Sequence, residues 1–250
     1  MNYGMNGKVV IVTGASGGIG RATALAFARS QASVVVSDVQ QDKGEETVKQ
    51  ITDQGGKAVF QRCDVSKEAD VKALIGRAVS EYGRLDYACN NAGINDIQKD
   101  EYDLDVWERS LSVNLTGVML YMKAEAEAMI ANGGGAIVNT SSINGLIGNP
   151  MQGAYTAGKH GVVGLTRHGA LRWAEAGIRV NCVCPGVIDT PMTEVLSQSP
   201  EIRTRMEAMT PMKRLGQPEE IASAIVWLCS DQASFVTGHP LVIDGGATAV

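Results

Sequence analysis

The sequence has few histidines and cysteines and no long apolar run, and each shortage excludes a class of protein. Its three histidines, His160, His168 and His239, have no ligand spacing with one another or with the cysteines, so we expect no metal site. No apolar run approaches the roughly 18 residues of a membrane span. Residues 1–8 lack a signal-peptide pattern. We therefore expect neither a membrane partner nor export.

The chain also lacks an excess or a block of one charge. It carries 22 basic and 27 acidic residues, and neither sign collects in a run, which argues against nucleic acid as a partner. The cysteines are an odd, scattered set, and most lie in apolar segments. This favours buried thiols and a reducing cytoplasm over disulfides. Cys182 and Cys184 are separated by one residue, which places both on the same face of a strand. A redox pair favours two intervening residues, so this spacing argues against one. The five cysteines are Cys63, Cys89, Cys182, Cys184 and Cys229.

Strand-like and helix-like segments alternate along the 250 residues, with no repeat or linker between them. This alternation predicts an α/β fold, a doubly wound parallel sheet of about seven strands with helices on both faces, in a single domain spanning residues 1–250. The predicted strands are residues 8–13, 33–37, 57–63, 85–89, 135–140, 178–184 and 241–244. We expect Ser66 to cap a helix that runs to about residue 82, and residues 104–132 to form one helix. The last helix should begin at Gln217.

A glycine-rich turn lies between the first predicted strand and a helix. Gly14, Gly18 and Gly20 give the spacing G-x-x-x-G-x-G. Glycines let backbone N–H groups approach a pyrophosphate, and the helix N-terminus favours its negative charge. This position predicts a dinucleotide site. Asp38 ends the second strand, where a carboxylate can accept hydrogen bonds from ribose hydroxyls and would repel the extra phosphate of NADP, so it favours NAD.

Three further stretches could contribute to the same crevice. The N-N-A-G sequence at residues 90–93 follows the fourth strand, and it suits either a simple turn or a wall of a ligand site. Asn114 lies among apolar neighbours in a predicted helix, where it could be a satisfied core residue or a functional one. Ser141 and Ser142 follow the fifth strand, where a hydroxyl could bind a substrate oxygen or cap a turn.

Tyr155 and Lys159 form the strongest candidate pair. Four residues apart on a helix, they lie on the same face one turn apart. A nearby cation favours the ionised form of a tyrosine, whose pKa is ordinarily near ~10. Lowering that pKa by roughly three units would require about 4 kcal/mol, which calls for a cationic cofactor ring in addition to the lysine. The pair therefore predicts a general acid/base.

Taken together, these residues resemble the short-chain dehydrogenase/reductase family over nearly the whole chain. The motifs that carry the resemblance are T-G-A-S-G-G-I-G at residues 13–20, C-D-V at 63–65, N-N-A-G at 90–93, S-V-N-L-T-G around Asn114, I-V-N-T-S-S ending at Ser142, Y-T-A-G-K at 155–159 and P-G-V-I-D-T-P at 185–191.

The resemblance implies roles for individual residues. Tyr155 would be the general acid/base, Lys159 would depress its pKa and hold the nicotinamide ribose, and Ser142 would polarise the substrate. Asn114 would anchor a water of a proton relay. The predicted cofactor is NAD, with NADP less favoured because of Asp38. The residues predicted to bind it, from the glycine turn, Asp38 and the resemblance together, are Gly14, Ser16, Gly18, Ile19, Gly20, Asp38, Asp64, Val65, Asn91, Ala92, Gly93, Tyr155, Lys159, Pro185, Gly186, Val187, Ile188 and Thr190.

The predicted activity is interconversion of a secondary alcohol and a ketone by an NAD-dependent oxidoreductase. A reductase of acyl-carrier-protein thioesters, a sugar or steroid dehydrogenase, and a catalytically silent nucleotide-binding protein remain alternatives. By resemblance we expect a homotetramer, with the helices around Asn114 and Tyr155 at an interface. Residues 187–215, which contain Met206, Met209 and Met212, should cover the substrate. Candidate substrate-lining residues are Ile94, Asn95, Asn144, Ile147, Met151, Gln152 and Met192.

Overall fold

The computed structural model describes residues 3–95, 100, 103–193 and 199–249. Seven parallel strands form one sheet in the order β3-β2-β1-β4-β5-β6-β7. The strands are β1 (Val9–Thr13), β2 (Ser33–Asp38), β3 (Lys57–Arg62), β4 (Tyr87–Asn90), β5 (Gly135–Thr140), β6 (Ile178–Pro185) and β7 (Pro240–Ile243). The predicted doubly wound sheet is confirmed, and the strand ends agree with the predicted ones to within two residues.

Helices cover both faces of the sheet. They are α1 (Gly18–Arg29), α2 (Gln41–Asp53), α3 (Glu68–Tyr82), α4 (Leu104–Leu111), α5 (Gly117–Ala131), α6 (Gly153–Trp173), α7 (Pro200–Ala208) and α8 (Pro218–Cys229). Within the described ranges, none of the helices combines the length and apolar character needed to cross a bilayer.

The central strands are buried on both faces, which explains their nearly continuous apolar sequence. All five residues of β1 are buried, as is typical of a parallel strand between two helical layers. On one face, Phe27 of α1 and Ile225 of α8 pack against the sheet. On the other, Leu74 of α3 and Tyr121 of α5 do so. The two apolar clusters hold the carboxyl ends of the strands at one edge, where the loops that bear the candidate residues emerge.

Two predicted helix features are wrong in detail. Lys67, not Ser66, is the N-cap of α3. The Ser66 hydroxyl instead donates to Oδ1 of Asp64 at 2.7 Å, and its N–H donates to the same oxygen at 3.1 Å, so its side chain is already used in the preceding turn. The predicted single helix over residues 104–132 is interrupted by a π turn at Ser112–Thr116 between α4 and α5.

The five cysteines are buried and unpaired, as predicted. Among the residues that the structure describes, no group of three or more His, Cys, Asp or Glu side chains could hold a metal ion.

Candidate active site

A cleft of about 780 Å³ opens at the carboxyl ends of β1, β2 and β4. It contains most of the residues that the sequence assigned to a dinucleotide. The predicted residues that line it are Gly14, Ser16, Gly18, Ile19, Asp38, Asp64, Val65, Asn91, Ala92, Gly93, Ile94, Thr190 and Met192. Other predicted residues lie beside it. Val187 and Ile188 line a separate cavity of about 120 Å³, and Gly186 packs against the backbone of Asp244.

The glycine turn between β1 and α1 leaves no room for side chains. A Cβ at Gly20 would lie 2.1 Å from the backbone oxygen of Gly14, and one at Gly14, where φ is 65°, would lie 2.9 Å from Cα of Ala92. No side chain caps the N-terminus of α1, and its first turn holds no acidic residue. The first N–H groups of α1 and its positive dipole end are therefore suited to an anion such as a pyrophosphate.

Asp38 both lines the cleft and holds the glycine turn in place. One carboxylate oxygen accepts a hydrogen bond from the N–H of Ser16 at 3.1 Å, and the other accepts from the N–H of Gln40 at 3.0 Å. A carboxylate has about four lone-pair sites, so it keeps acceptor capacity for ribose hydroxyls. Asp38 is thus placed to bind the ribose hydroxyls of a dinucleotide.

Two basic residues that the sequence analysis missed also line this part of the cleft, Arg21 and Lys43. Arg21 donates to the backbone oxygen of Ser16 at 2.6 Å and forms an ion pair with Glu46 at 3.2 Å. Its charge is therefore partly neutralised by a neighbouring acid. The fold brings Arg21 and Lys43 in from α1 and α2.

The Asn91–Gly93 loop is both a turn and a wall of the cleft. The Asn91 carboxamide donates to the backbone oxygen of Thr13 at 3.1 Å, which joins the ends of β4 and β1. Further along, a Cβ at Gly93 would lie 2.9 Å from Oδ1 of Asn114 and 3.5 Å from Nζ of Lys159. Gly93 is therefore the point at which the cleft meets the candidate catalytic residues.

Asn114 is fully buried in the π turn, and its side chain is paired with the backbone of Ile94. The N–H of Ile94 donates to Oδ1 at 3.1 Å, and Nδ2 donates to the oxygen of Ile94 at 2.9 Å and to Oγ of Ser110 at 3.2 Å. The Asn114 carboxamide therefore holds in place the backbone of Ile94, which follows Gly93 on the wall of the cleft. The predicted role in a proton relay stays a prediction.

Ser142, Tyr155 and Lys159 lie together where β5 meets α6. Ser142 and Tyr155 are close enough for the serine hydroxyl to act on the pKa of the phenol, and the N–H of Asn144 donates to Oγ of Ser142 at 3.1 Å. Lys159 is buried, with Nζ 5.4 Å from the centre of the Tyr155 ring, and it donates to the backbone oxygen of Thr140 at 2.9 Å.

Ser141, the alternative to Ser142, is used structurally. Its hydroxyl donates to the backbone oxygen of Lys159 at 2.9 Å and so ties β5 to α6. It is Ser142 whose hydroxyl acts on the Tyr155 phenol. The choice between the two serines, which rested on resemblance alone, thus gains a geometric reason.

The predicted effect of Lys159 on Tyr155 is not present in the protein alone. Burial raises the pKa of Tyr155 to about 12, and the hydrogen bond with Ser142 only partly opposes this. Burial also lowers the pKa of Lys159 to about 8. Removal from water disfavours the charged form of each group. In the protein without cofactor, burial therefore opposes the predicted lowering of the pKa of Tyr155.

The predicted substrate-lining residues lie between Ser142 and Tyr155 and along the end of the cleft. Nδ2 of Asn144 donates to Oε1 of Gln152 at 2.6 Å, and Nδ2 of Asn149 donates to the same oxygen at 3.3 Å. Three apolar side chains in this region are exposed, those of Ile147, Met151 and Met192. Ile94 and Met192 line the large cleft. The other predicted substrate residues do not line it; they are Asn95, Asn144, Ile147, Met151 and Gln152.

The predicted covering segment is tied to neighbouring elements and within itself. The N–H of Met212 donates to the backbone oxygen of Gly245 at 3.2 Å, and Arg214 forms an ion pair with Glu220 of α8 at 2.7 Å. Arg203 of α7 forms an ion pair with Asp189 at 2.8 Å, which connects this helix to the loop after β6. Residues 194–198 of the segment lie outside the described residues.

Comparisons with known proteins agree with this geometry. Residues 14–248 match the family described as Enoyl-(Acyl carrier protein) reductase, adh_short_C2. The chain is 44% identical over 251 residues to the cyclohexanol dehydrogenase of Acinetobacter sp. (strain SE19), covering 100% of this chain and 98% of that protein. It is 45% identical over 245 residues to the cis-4-hydroxycyclohexanecarboxylate dehydrogenase of Sinomonas cyclohexanicum, covering 97% of each.

Solved structures show the same architecture. A short-chain type dehydrogenase/reductase from Mycobacterium marinum is 37% identical with a TM-score of 0.94, covering 100% of this chain and 98% of that one. A 7α-hydroxysteroid dehydrogenase complexed with NADH and 7-oxo glycochenodeoxycholic acid is 36% identical with a TM-score of 0.93, covering 98% and 96%. The match over nearly the entire length, with the motifs gathered at one edge of the sheet, shows that the chain is an oxidoreductase and belongs to the short-chain dehydrogenase/reductase family.

Proposed function

We propose that this protein is an NAD-dependent dehydrogenase that interconverts a cyclic secondary alcohol and its ketone. The observation that carries the proposal is the meeting of Ser142, Tyr155 and Lys159 beside Gly93, at the end of a cleft suited to a dinucleotide. When bound, the nicotinamide cofactor accepts or supplies the hydride.

The chain's own part is to orient the substrate oxygen and to move its proton. The N–H of Asn144 occupies a lone pair of Ser142 Oγ, and the Ser142 hydrogen can turn from the phenol of Tyr155 to a substrate oxygen that binds beside it. Tyr155 lies in the first turn of α6. It donates a proton to the substrate oxygen when the ketone is reduced and accepts the proton from that oxygen when the alcohol is oxidised. Lys159 is positioned by Thr140 to hold the ribose next to the ring of Tyr155.

The preference for NAD rests on Asp38. Its carboxylate lines the part of the cleft suited to the adenosine ribose, where it would bind two hydroxyls and repel a phosphate. Arg21 and Lys43 are nearby, but the ion pair of Arg21 with Glu46 reduces its attraction for a phosphate. The NADH in the hydroxysteroid dehydrogenase complex supports the same choice.

A six-membered-ring alcohol is the substrate class that we propose. Two relatives, at 44% and 45% identity, are named as dehydrogenases of cyclohexanol and of a hydroxycyclohexane carboxylate. Met192 supplies apolar surface on the wall of the cleft, and Ile147 and Met151 are exposed in the stretch of chain between Ser142 and Tyr155. Reduction of acyl-carrier-protein thioesters, to which the matched family's description points, is less well supported, because Asp38 and the net charge of −5 are poorly suited to NADP and to an acidic carrier.

We further propose a homotetramer in a reducing cytoplasm. Leu104 on α4 and Leu171 on α6 are 73% and 85% exposed, and such apolar side chains on neighbouring helices suit an interface between copies. The buried, unpaired cysteines suit a reducing compartment.

The test is a panel of cyclic and acyclic alcohols and ketones, followed by nicotinamide absorbance with both cofactors. We expect NAD-linked oxidation of cyclohexanol to exceed that of acyclic alcohols. Tyr155→Phe should lower kcat by roughly 100-fold or more while NADH still binds. A Tyr155→Phe protein with wild-type turnover, or a wild type that binds neither dinucleotide, contradicts the proposal.

A further inference from the structure

A fully buried acid, Glu125 on α5, lies under the active-site edge of the sheet and takes no part in the proposed chemistry. Its Oε2 accepts a hydrogen bond from Nδ2 of Asn90 at 3.0 Å. Its Oε1 has no hydrogen-bond partner among the described residues, and neither has Oδ1 of Asn90. A buried carboxylate with one donor and no cation is an expensive arrangement, so it calls for an explanation.

Glu125 begins a chain of side-chain hydrogen bonds that runs along one face of the sheet, from α5 to α6. Nδ2 of Asn90 also donates to Oδ1 of Asn139 at 3.0 Å, and Nδ2 of Asn139 donates to Oγ1 of Thr166 at 2.9 Å. Thr166 completes the chain by donating to the backbone oxygen of Val162 at 2.8 Å. We call Glu125, Asn90, Asn139 and Thr166 the buried polar chain. All four side chains are buried, and they belong to α5, β4, β5 and α6.

The elements that the buried polar chain connects are those that carry the active site. Asn90 immediately precedes the Asn91–Gly93 wall of the cleft. Asn139 precedes Thr140, whose backbone oxygen positions Lys159. Thr166 lies two turns beyond Lys159 on α6. A change at Glu125 therefore acts on the cofactor wall and on the catalytic helix through a short, continuous path.

We propose that Glu125 is a positioning residue that acts as an uncharged acid, holding Asn90 and thereby fixing the Asn91–Gly93 wall against α6. The ionisable groups that face it are Cys89 on β4 and Tyr121 on α5, and burial raises the pKa of both, so they are neutral too. No cation is among the influences on Glu125, and burial raises its own pKa to about 8. Protonation also turns one carboxyl oxygen of Glu125 into a hydrogen-bond donor. The neighbouring Asn90 has an acceptor, Oδ1, that has no partner among the described residues.

The first test compares Glu125→Gln with Glu125→Met, two uncharged residues of similar size, of which only glutamine can accept from Asn90. The proposal rests on the proposed function, because NADH binding is the readout. We expect Glu125→Gln to keep the wild-type Kd for NADH. Glu125→Met should raise that Kd roughly threefold to tenfold, the equivalent of one hydrogen bond, with a smaller effect on kcat. Wild-type affinity in Glu125→Met would overturn the positioning role.

The second test needs no cofactor and so remains informative if the proposed function fails. The thermal midpoints of wild type and Glu125→Gln are measured between pH 4 and 9. An acid whose folded pKa is about 8, against an ordinary 4.5, makes the wild type lose stability relative to glutamine as the pH rises from about 4.5 to 8. Above about pH 8 the difference in thermal midpoint between wild type and Glu125→Gln should stay constant. Parallel curves over this range would show that Glu125 is charged in the folded protein and would refute the proposal.

Discussion

Replacing Lys159 by methionine should stabilise the protein while it removes activity. Lys159 is 3% exposed. Its pKa falls from the ordinary 10.5 to about 8 because burial disfavours the ammonium form. Each pH unit of such a difference corresponds to about 1.4 kcal/mol, so the charged amine costs the fold about 3 kcal/mol at pH 7. Methionine has a similar length and no charge to desolvate.

The replacement also removes a favourable contact. Lys159 donates to the backbone oxygen of Thr140 at 2.9 Å, and such a bond contributes about 1 kcal/mol. The net gain at pH 7 is therefore about 2 kcal/mol. For a chain of this length this corresponds to a rise of roughly 4–8 °C in Tm.

The pH dependence distinguishes this explanation from better packing. The folded pKa lies below the unfolded one, so the penalty is fully present below about pH 8 and disappears as the pH rises to 10.5. The advantage of methionine should therefore shrink over that window and end as a deficit of about 1 kcal/mol. Urea unfolding of the cofactor-free wild type and Lys159→Met at pH 7 and pH 10.5 measures this difference in the free energy of unfolding.

Lys57→Met, at an exposed lysine, is the matched control and should show no comparable change with pH. If Lys159→Met were less stable than wild type at both pH values by the same amount, the ammonium would not be penalised in the fold. The reasoning from burial would then be refuted.

Two further predictions concern the cleft and its support. Asp38→Ala should lower the ratio of kcat/KM with NAD to that with NADP, because it removes the charge that repels the phosphate; an unchanged ratio in steady-state assays would contradict this role. Asn114→Leu should leave the N–H and C=O of Ile94 without their side-chain partners and destabilise the protein by roughly 2–5 kcal/mol in urea unfolding. A loss below about 1 kcal/mol would show that water replaces the carboxamide.

Local patterns were enough to predict the architecture. The β-branched run of β1 and the glycines after it place a buried parallel strand, a tight turn and a helix in sequence, and neighbouring residues alone determine each of these. The spacing of Tyr155 and Lys159 likewise follows from helical periodicity. These predictions succeeded because a helix or a strand repeats over few residues, so the necessary information is contiguous in the chain.

Interactions between distant segments were decided only by the tertiary structure. The π turn at Asn114 depends on Ile94, 20 residues earlier, and the ion pair of Arg21 depends on Glu46 in another helix. The pKa of Tyr155 was predicted to fall under the joint effect of Lys159 and a bound cofactor ring, and in the protein without cofactor burial raises it instead. Desolvation depends on everything packed around a group, which is why the sequence determined the sheet and the positions of the reactive side chains, whereas their charge states came from the folded protein.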